Sequence, residues 1–547
     1  MPTITFSYED LCSLIGKKPT EEELVELLDY AKAELEAKLT TEVTVKFNDT
    51  NQPYLWSVEV IARLIRSVLG KSKGVPKIKL EKSDLVVKVD KSVAPIRPYI
   101  AIFTAKGPAI TPYLLEQLIQ LQEKLAVNFG RKRQKVGAGL FPAKKVEFPL
   151  TYKAVDPTSV SYVPLGMHEK LNLKQVLEKH QKGKEYSWIL KDAKKYPIVL
   201  DNQKQVLTFP PIVNSEASGK VMAGDTELVC EVTGTDLEAV NLVCAIFAYT
   251  LFDRGFKLYS AKILYGTKTH VTPDLSVGVH SFKPETIKNL LGLDLSEKEV
   301  KQLLERAQYT VTGKGKVESP PYRKDIMHEV DIIEDIGILY GYSNIDSAPL
   351  TAYTVGGLLP IQSFIDTQRN LWIGQGYQEA MSAVLTNKQL LTEKMNVPDP
   401  GTVEIQNFMS TTYSCVRSWL LPILLELLSK NKHVDYPQKV FEQGTVTLLS
   451  KEVIDEQHLA AVSAHSSATY TEMKQAVENT LRNAHVEYTI EELEIGCFIP
   501  GRSAKILVCG TQVGMFGEIH PKVLRNFGLL VPVAGYELNL NGLIKKN

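Results

Sequence analysis

Apolar positions along the chain recur at helical spacing in some stretches and in strand-like runs in others. Short strands are predicted at residues 3–6 and 43–47, and an acidic helical pattern at 21–39. Residues 51–53 read as a turn, and Ser57 is placed to cap an amphipathic helix. Residues 71–82 read as a basic linker. From 99 the texture becomes α/β, with a strand at 99–107 ended by Pro108 and a helix over 114–129. A later strand runs into Thr-Gly-Thr-Asp, and Thr235 or Asp236 caps the helix that follows.

Residues 268–346 form a smaller unit. Two short helical patterns, 279–292 and 295–309, are joined by a brief turn, which suggests a winged or helix-turn-helix type of domain. It closes on a third helix in which Val330, Ile332, Ile333, Ile336 and Leu339 supply the buried side. Asp331, Glu334 and Asp335 stand at i, i+3 and i+4 of that helix and share a face. Gly341 sits where a C-cap glycine belongs. Like charges at this spacing repel; a divalent cation, a basic partner or solvation would each make the cluster tolerable. Residues 351–547 read as α+β, with helices at 362–376 and 420–429 and strands at 439–449, 504–510 and 512–519.

A chain of 547 residues exceeds one core, so three or four domains are expected. Lys+Arg and Asp+Glu each number 63, so net charge neither demands nor excludes a nucleic-acid partner. Six cysteines are scattered without a CxxC pair, against a zinc ribbon or disulfide framework and in keeping with a reducing cytosol. No apolar run is long enough for a bilayer, and the N-terminus lacks signal-peptide character, so a cytoplasmic protein with no membrane partner is expected. The 311–318 segment lacks the spacing of a phosphate loop, and His168, His270 and His280 have no second ligand at metal-site spacing.

Several blocks in order carry a resemblance: LWSVEVIARLIRSVLG, GRKR, FPPIVNSE with EVTGTD, PPYRKDIMHEVDIIEDIGILYGY, FIPGRSAKI and GMFGEIHPKVLRNFGL. Together they resemble the beta subunits of phenylalanyl-tRNA synthetases of the archaeal and eukaryotic cytosolic type, over nearly the whole chain. The resemblance implies a multidomain α+β chain. It comprises an N-terminal α/β domain (1–92), an editing-type α/β domain (93–267), a winged or helix-turn-helix-like domain (268–346) and a degenerate class II synthetase core with an antiparallel sheet (347–547).

The resemblance further implies a complex of two alpha and two beta chains acting on tRNA(Phe), with ATP used at the alpha subunit. In keeping with an inactive core, the C-terminal end has no arginine after Arg525. Magnesium is implied at Asp325, Asp331, Glu334 and Asp335, completed by the alpha chain. From the residues alone, a cap at Asp325 and a solvated acidic face are the plainer reading. If the helix began at 326, the rise from 325 to 331 would be ~9 Å, too long for four inner-sphere ligands unless Asp325 folds back.

An apolar phenylalanine pocket rejects tyrosine by only ~100-fold, so a second, hydrolytic site is expected. Asn214, Ser215 and Asp236 are its candidates from the matching segments, with Thr233 as a further polar wall. Turn formation at Asn214 and helix capping by Asp236 are the plainer alternative. Relatives carry an aspartate after the RKR motif, whereas this chain has Gly137–Lys145, with Pro142 near the expected acid; editing is lost there or the pocket is rebuilt. Arg131, Lys132, Arg133, Lys135, Lys144 and Lys145 are candidate phosphate contacts, or an ordinary solvated face. The family's Asn-Arg-Pro-Asp-Leu stands here as Asn51-Gln52-Pro53-Tyr54-Leu55, without its charged members.

Overall fold

The computed structural model describes residues 2–543. The chain divides into two compact units, 1–348 and 349–547. It is a mixed α+β chain with several sheets. No helix among the described residues is long and apolar enough to cross a membrane.

The first unit opens with a three-stranded antiparallel sheet of Thr3–Ser7, Glu42–Phe47 and Ala33–Leu35, with Glu42–Phe47 central. Alternation puts Ile4, Phe6, Val43, Val45 and Phe47 inside. The acidic pattern expected as helix over 21–39 is helical only over Glu21–Asp29. Lys32 then takes φ 51°, which ends the helix, and a strand follows. Ser57 caps Val58–Val68, its hydroxyl accepting from Val60 N at 3.4 Å.

A ten-stranded sheet follows and reaches beyond residues 93–267 on both sides. Leu80–Val89, whose first residues were read as linker, is one of its strands, parallel to Lys257–Tyr265 and Leu150–Val155. At the far side Lys268–Thr272 pairs with Lys257–Tyr265. The helix Leu237–Asp253 is buried along most of its length and covers the face carrying Ala101, Phe103, Leu228, Cys230 and Val232. The other face packs Ile100, Ile102, Phe141, Val199, Leu207 and Val229. The edge strand Val136–Pro142 and the opposite flank are joined by Arg133, whose Nη1 donates to the carbonyls of Pro211 and Ile212 at 3.3 and 3.1 Å. The helix expected over 114–129 is regular over Pro112–Lys124 and loosens into a π turn at Leu125–Phe129.

The remainder of this unit has a three-stranded antiparallel sheet, Gly278–Ser281, Lys316–Ser319 and Thr310–Gly313, with helices Pro284–Leu291, Glu297–Arg306 and Glu329–Tyr340. The last helix begins three residues later than 326, so Asp325 lies in the extended segment before it.

The second unit is built on a seven-stranded sheet, antiparallel except where the edge strand Gln378–Glu379 runs parallel to Gln438–Leu449. Helices Pro360–Gly374 and Tyr470–Asn483 pack on one face around Trp372, Met473 and Phe516. Leu421–Lys430 and Pro521–Phe527 pack on the other around Leu424, Val462 and Val533.

Candidate functional site

The acidic helix carries its charges in separate arrangements. His328 is the N-cap, and Asp331 Oδ2 reaches back to accept Met327 N and His328 N at 2.7 and 2.8 Å. Glu334 points outward and pairs with Lys32 at 3.0 Å. Asp335 turns inward, where Tyr309 Oη donates to its Oδ2 at 2.6 Å. Arg323 Nη2 donates to the same oxygen at 2.9 Å and to Asp325 Oδ2 at 2.7 Å. Asp325 also accepts Gln52 Nε2 at 3.1 Å, so Gln52, which stands in the altered Asn51–Leu55 segment, serves this cluster.

Arg323 thus supplies the counter-charge that Asp325 and Asp335 require, and burial and the tyrosines Tyr54 and Tyr309 enclose its guanidinium. No three His, Cys, Asp or Glu side chains among the described residues gather as a metal-ligand set. The four carboxylates therefore do not fit one inner-sphere site within this chain. Asp331 and Glu334 are the pair that remains on the accessible side. One or two carboxylates with several waters is the usual provision for magnesium.

The second site lies on the inner face of the large sheet. Glu231 and Thr233 stand two apart on the strand Glu227–Gly234 and so share a face. Directly opposite them on the edge strand are Gly139 and Gly137. Arg97, fully buried, donates from Nε to Thr233 Oγ1 at 3.0 Å and from Nη2 to the Thr233 carbonyl at 2.6 Å. Its Nη1 donates to the carbonyls of Arg133 and Gln134 at 3.0 and 3.1 Å. Burial pushes the Glu231 carboxyl up to about 7, with Arg97 and the Thr233 hydroxyl acting in the opposite direction. Its Oε1 is buried and has no hydrogen-bond partner among the described residues. A Cβ at Gly139 would lie 3.2 Å from Glu231 Oε2. A side chain there would crowd both the carboxyl and the Phe141 ring, 3.3 Å away.

Of the residues read from sequence, Thr233 is in this cluster, while Asn214, Ser215 and Asp236 are each held by local partners of their own. Asn214 pairs with Thr208 at the end of a short hairpin, its carbonyl accepting Leu165 N at 2.9 Å. Ser215 is buried, its Oγ accepting Ala217 N at 3.2 Å. Asp236 caps Leu237–Asp253 through Ala239 N at 2.9 Å and meets Lys135 at 3.4 Å. Those backbone donors, together with Lys135, hold it below the usual carboxylate range despite its partial burial. Pro142 pairs with Leu228 at the far end of the edge strand, where a missing N–H is harmless. Glu231 and Arg97 went unnoticed in the sequence. The available signal was a glutamate inside the apolar run LVCEV. A carboxyl titrating near neutrality in such a niche can accept or donate to a hydroxyl, or take a proton from water.

The tRNA synthetase B5 domain profile matches residues 280–342. The profile described as phenylalanyl tRNA synthetase beta chain CLM domain matches residues 345–540. The phenylalanine--tRNA ligase beta subunit of Pyrococcus furiosus is 41% identical over 100% of both chains, and that of Archaeoglobus fulgidus 37% identical over 99% of this chain and 98% of its own. The crystal structure of an N-terminal fragment of the phenylalanyl-tRNA synthetase beta subunit from Pyrococcus horikoshii superposes with a TM-score of 0.60 at 39% identity, covering 62% of this chain and 100% of the fragment. The chain belongs to the family of phenylalanine--tRNA ligase beta subunits.

Proposed function

We propose that this chain works as the beta subunit of a cytoplasmic phenylalanine--tRNA ligase. It supports ATP-dependent charging of tRNA(Phe) by an alpha subunit, in a complex of two alpha and two beta chains. The observation that carries this is the 41% identity over the whole of both chains. The second unit acts as a class II core without an adenylate site. In support, its buried charges satisfy one another: Arg417 meets Glu442 at 2.5 Å, and Glu537 accepts Leu420 N and Leu421 N and pairs with His458 at 2.7 Å. Magnesium falls to Asp331 and Glu334, with waters and the alpha subunit completing its shell; when bound it supplies fixed positive charge on the accessible face of the helix.

The Glu231–Thr233 pocket hydrolyses tRNA(Phe) mischarged with tyrosine. Glu231 Oε1, buried and unpartnered, is suited to the phenol hydroxyl that phenylalanine lacks. A site that must satisfy such a group discriminates far more strongly than an apolar pocket does. Asn214, Ser215 and Asp236 shape and brace its surroundings. The test is co-expression with an alpha subunit, followed by phenylalanylation and Tyr-tRNA(Phe) deacylation assays. Charging by the isolated chain would overturn the inactive-core reading. Unchanged deacylation by the Glu231→Gln complex would overturn the pocket.

A further inference from the structure

Three consecutive residues that are not glycine, Arg131, Lys132 and Arg133, take φ of 50°, 52° and 68°. The left-handed region costs an L residue roughly 1–2 kcal/mol. The turn is held there by Lys132 N to Val127 O, Arg133 N to Ala126 O and Lys135 N to Gly130 O, each 2.8 Å. At its start Gly130 is packed so closely that a Cβ would lie 2.2 Å from the Val136 carbonyl. Strain retained at this density of support points to a use for the conformation.

The surrounding cations are not equivalent. Arg133 is turned in, against Glu123 at 2.9 Å and over the Tyr186 ring at 4.5 Å. Lys135 is paired with Asp236, and Lys144 with Asp225 at 2.7 Å. Arg131 and Lys132 are exposed and make no ion pair among the described residues. The carbonyls of the same turn hold Arg97, and Arg97 holds Thr233. Two free cations are thereby carried on the turn whose carbonyls hold Arg97 against Thr233.

We propose that Arg131 and Lys132 clamp the sugar-phosphate backbone at the single-stranded 3′ end of an aminoacylated RNA, delivering its ester to that pocket. This rests on the hydrolytic reading of the pocket. An aminoacyl ester is carried on the terminal ribose, so phosphates necessarily trail from wherever the ester is bound. Paired cations on a rigid turn fix register without reading bases. Arg133 is a positioning residue that holds the turn.

The test uses the complex with its alpha subunit and the double variant Arg131→Asn, Lys132→Asn, since asparagine enters the left-handed region readily. KM for Tyr-tRNA(Phe) deacylation is measured between about 50 and 200 mM salt. Each lost contact to a single strand lowers the salt slope by ~0.7, so a drop of about 1.4 is expected, with KM up by roughly 10-fold and kcat unchanged. The charge-keeping variant Arg131→Lys, Lys132→Arg should stay close to native. Tyrosyl-adenosine, which has no phosphate, should be hydrolysed alike by all three. Native KM and slope in the double variant, with deacylation intact, overturn the clamp alone, as does equal loss on tyrosyl-adenosine. A native complex that leaves Tyr-tRNA(Phe) intact overturns clamp and pocket together.

Discussion

Arg323 Nη2 donates to Asp335 Oδ2 at 2.9 Å, and neither side chain is more than 10% exposed. The pair joins the acidic helix to the extended segment before it, and through Asp325 and Gln52 to the N-terminal sheet region. Removing the arginine alone strands two buried carboxylates. The Arg323→Met variant is expected to lose about 3–5 kcal/mol in urea unfolding of the first unit. Pairing it with Asp335→Asn and Asp325→Asn should recover much of that loss. Equal instability of the single and triple variants would show that the guanidinium matters for its packing against Tyr54 and Tyr309 rather than for its charge.

The same arrangement sets the response to magnesium. A preformed site of four carboxylates would stabilise the isolated chain by ~2.7 kcal/mol with the ion at a hundred times its Kd. With Asp325 and Asp335 committed to Arg323, and Asp331 to backbone donors, the isolated chain should unfold at nearly the same urea concentration in millimolar magnesium as in chelator. A clear upward shift of the midpoint would show that the carboxylates rearrange around the ion without a partner.

Glu231 gives a pH signature. Its folded value is raised from 4.5 to about 7, so the folded state holds the proton more tightly than the unfolded one. Stability contributed by the neutral carboxyl is present below pH 4.5 and declines as pH rises to about 7. The Glu231→Gln variant should lack this decline, amounting to a few kcal/mol at most. Urea titrations from pH 5 to 8 measure it, and parallel slopes for native and variant would contradict the burial argument.

The helices with clean apolar stripes were legible in the sequence, as were the caps at Ser57 and Asp236, because capping and periodicity are local. Residues 33–35 and 80–89 were not. Their strand character comes from pairing with other segments, Glu42–Phe47 in one case and Lys257–Tyr265 in the other. The acidic helix was legible as a helix, but its charge balance was not, since Arg323, Tyr309 and Lys32 arrive from other elements. In the Glu231–Thr233 cluster, Thr233 was legible and Glu231 was not. A charged residue in a central strand gains meaning only when its face, its burial and Arg97 are known.

In the second unit His458 lies between Glu456 at 3.3 Å and Glu537 at 2.7 Å. Burial opposes its charge, but hydrogen bonds to the two carboxylates prevail and raise it from 6.5 to about 9. A raised folded value means stabilisation that is complete below pH 6.5 and lost as pH rises through 9. His458→Gln should cost about 1–3 kcal/mol at pH 7 and flatten the stability profile between those limits. Thermal unfolding across pH 6 to 10 checks the sign. A variant that keeps the native loss above pH 7 would place the titration elsewhere.

Gly139 tests the pocket by volume rather than charge. Its Cβ would lie 3.2 Å from Glu231 Oε2 and 3.3 Å from the Phe141 ring, closer than side chains settle without displacing a neighbour. At Gly137, on the same strand and face, a Cβ meets nothing nearer than Arg97 Nη2 at 3.5 Å. Strand propensity favours a side chain at both positions, but only at 139 must a neighbour give way, so urea unfolding of each variant accompanies the assay. One added carbon in a fitted pocket is worth roughly 10–200-fold, so Gly139→Ala should lower kcat/KM for Tyr-tRNA(Phe) deacylation by about 10-fold and Gly139→Val by 100-fold or more. Gly137→Ala should stay within a few-fold of native, and phenylalanylation by the complex should be unaffected in all three. Equal effects at 137 and 139 would mean that the edge strand serves the proposed pocket only as a wall, and that the side of Glu231 facing Gly139 is not where the amino acid lies.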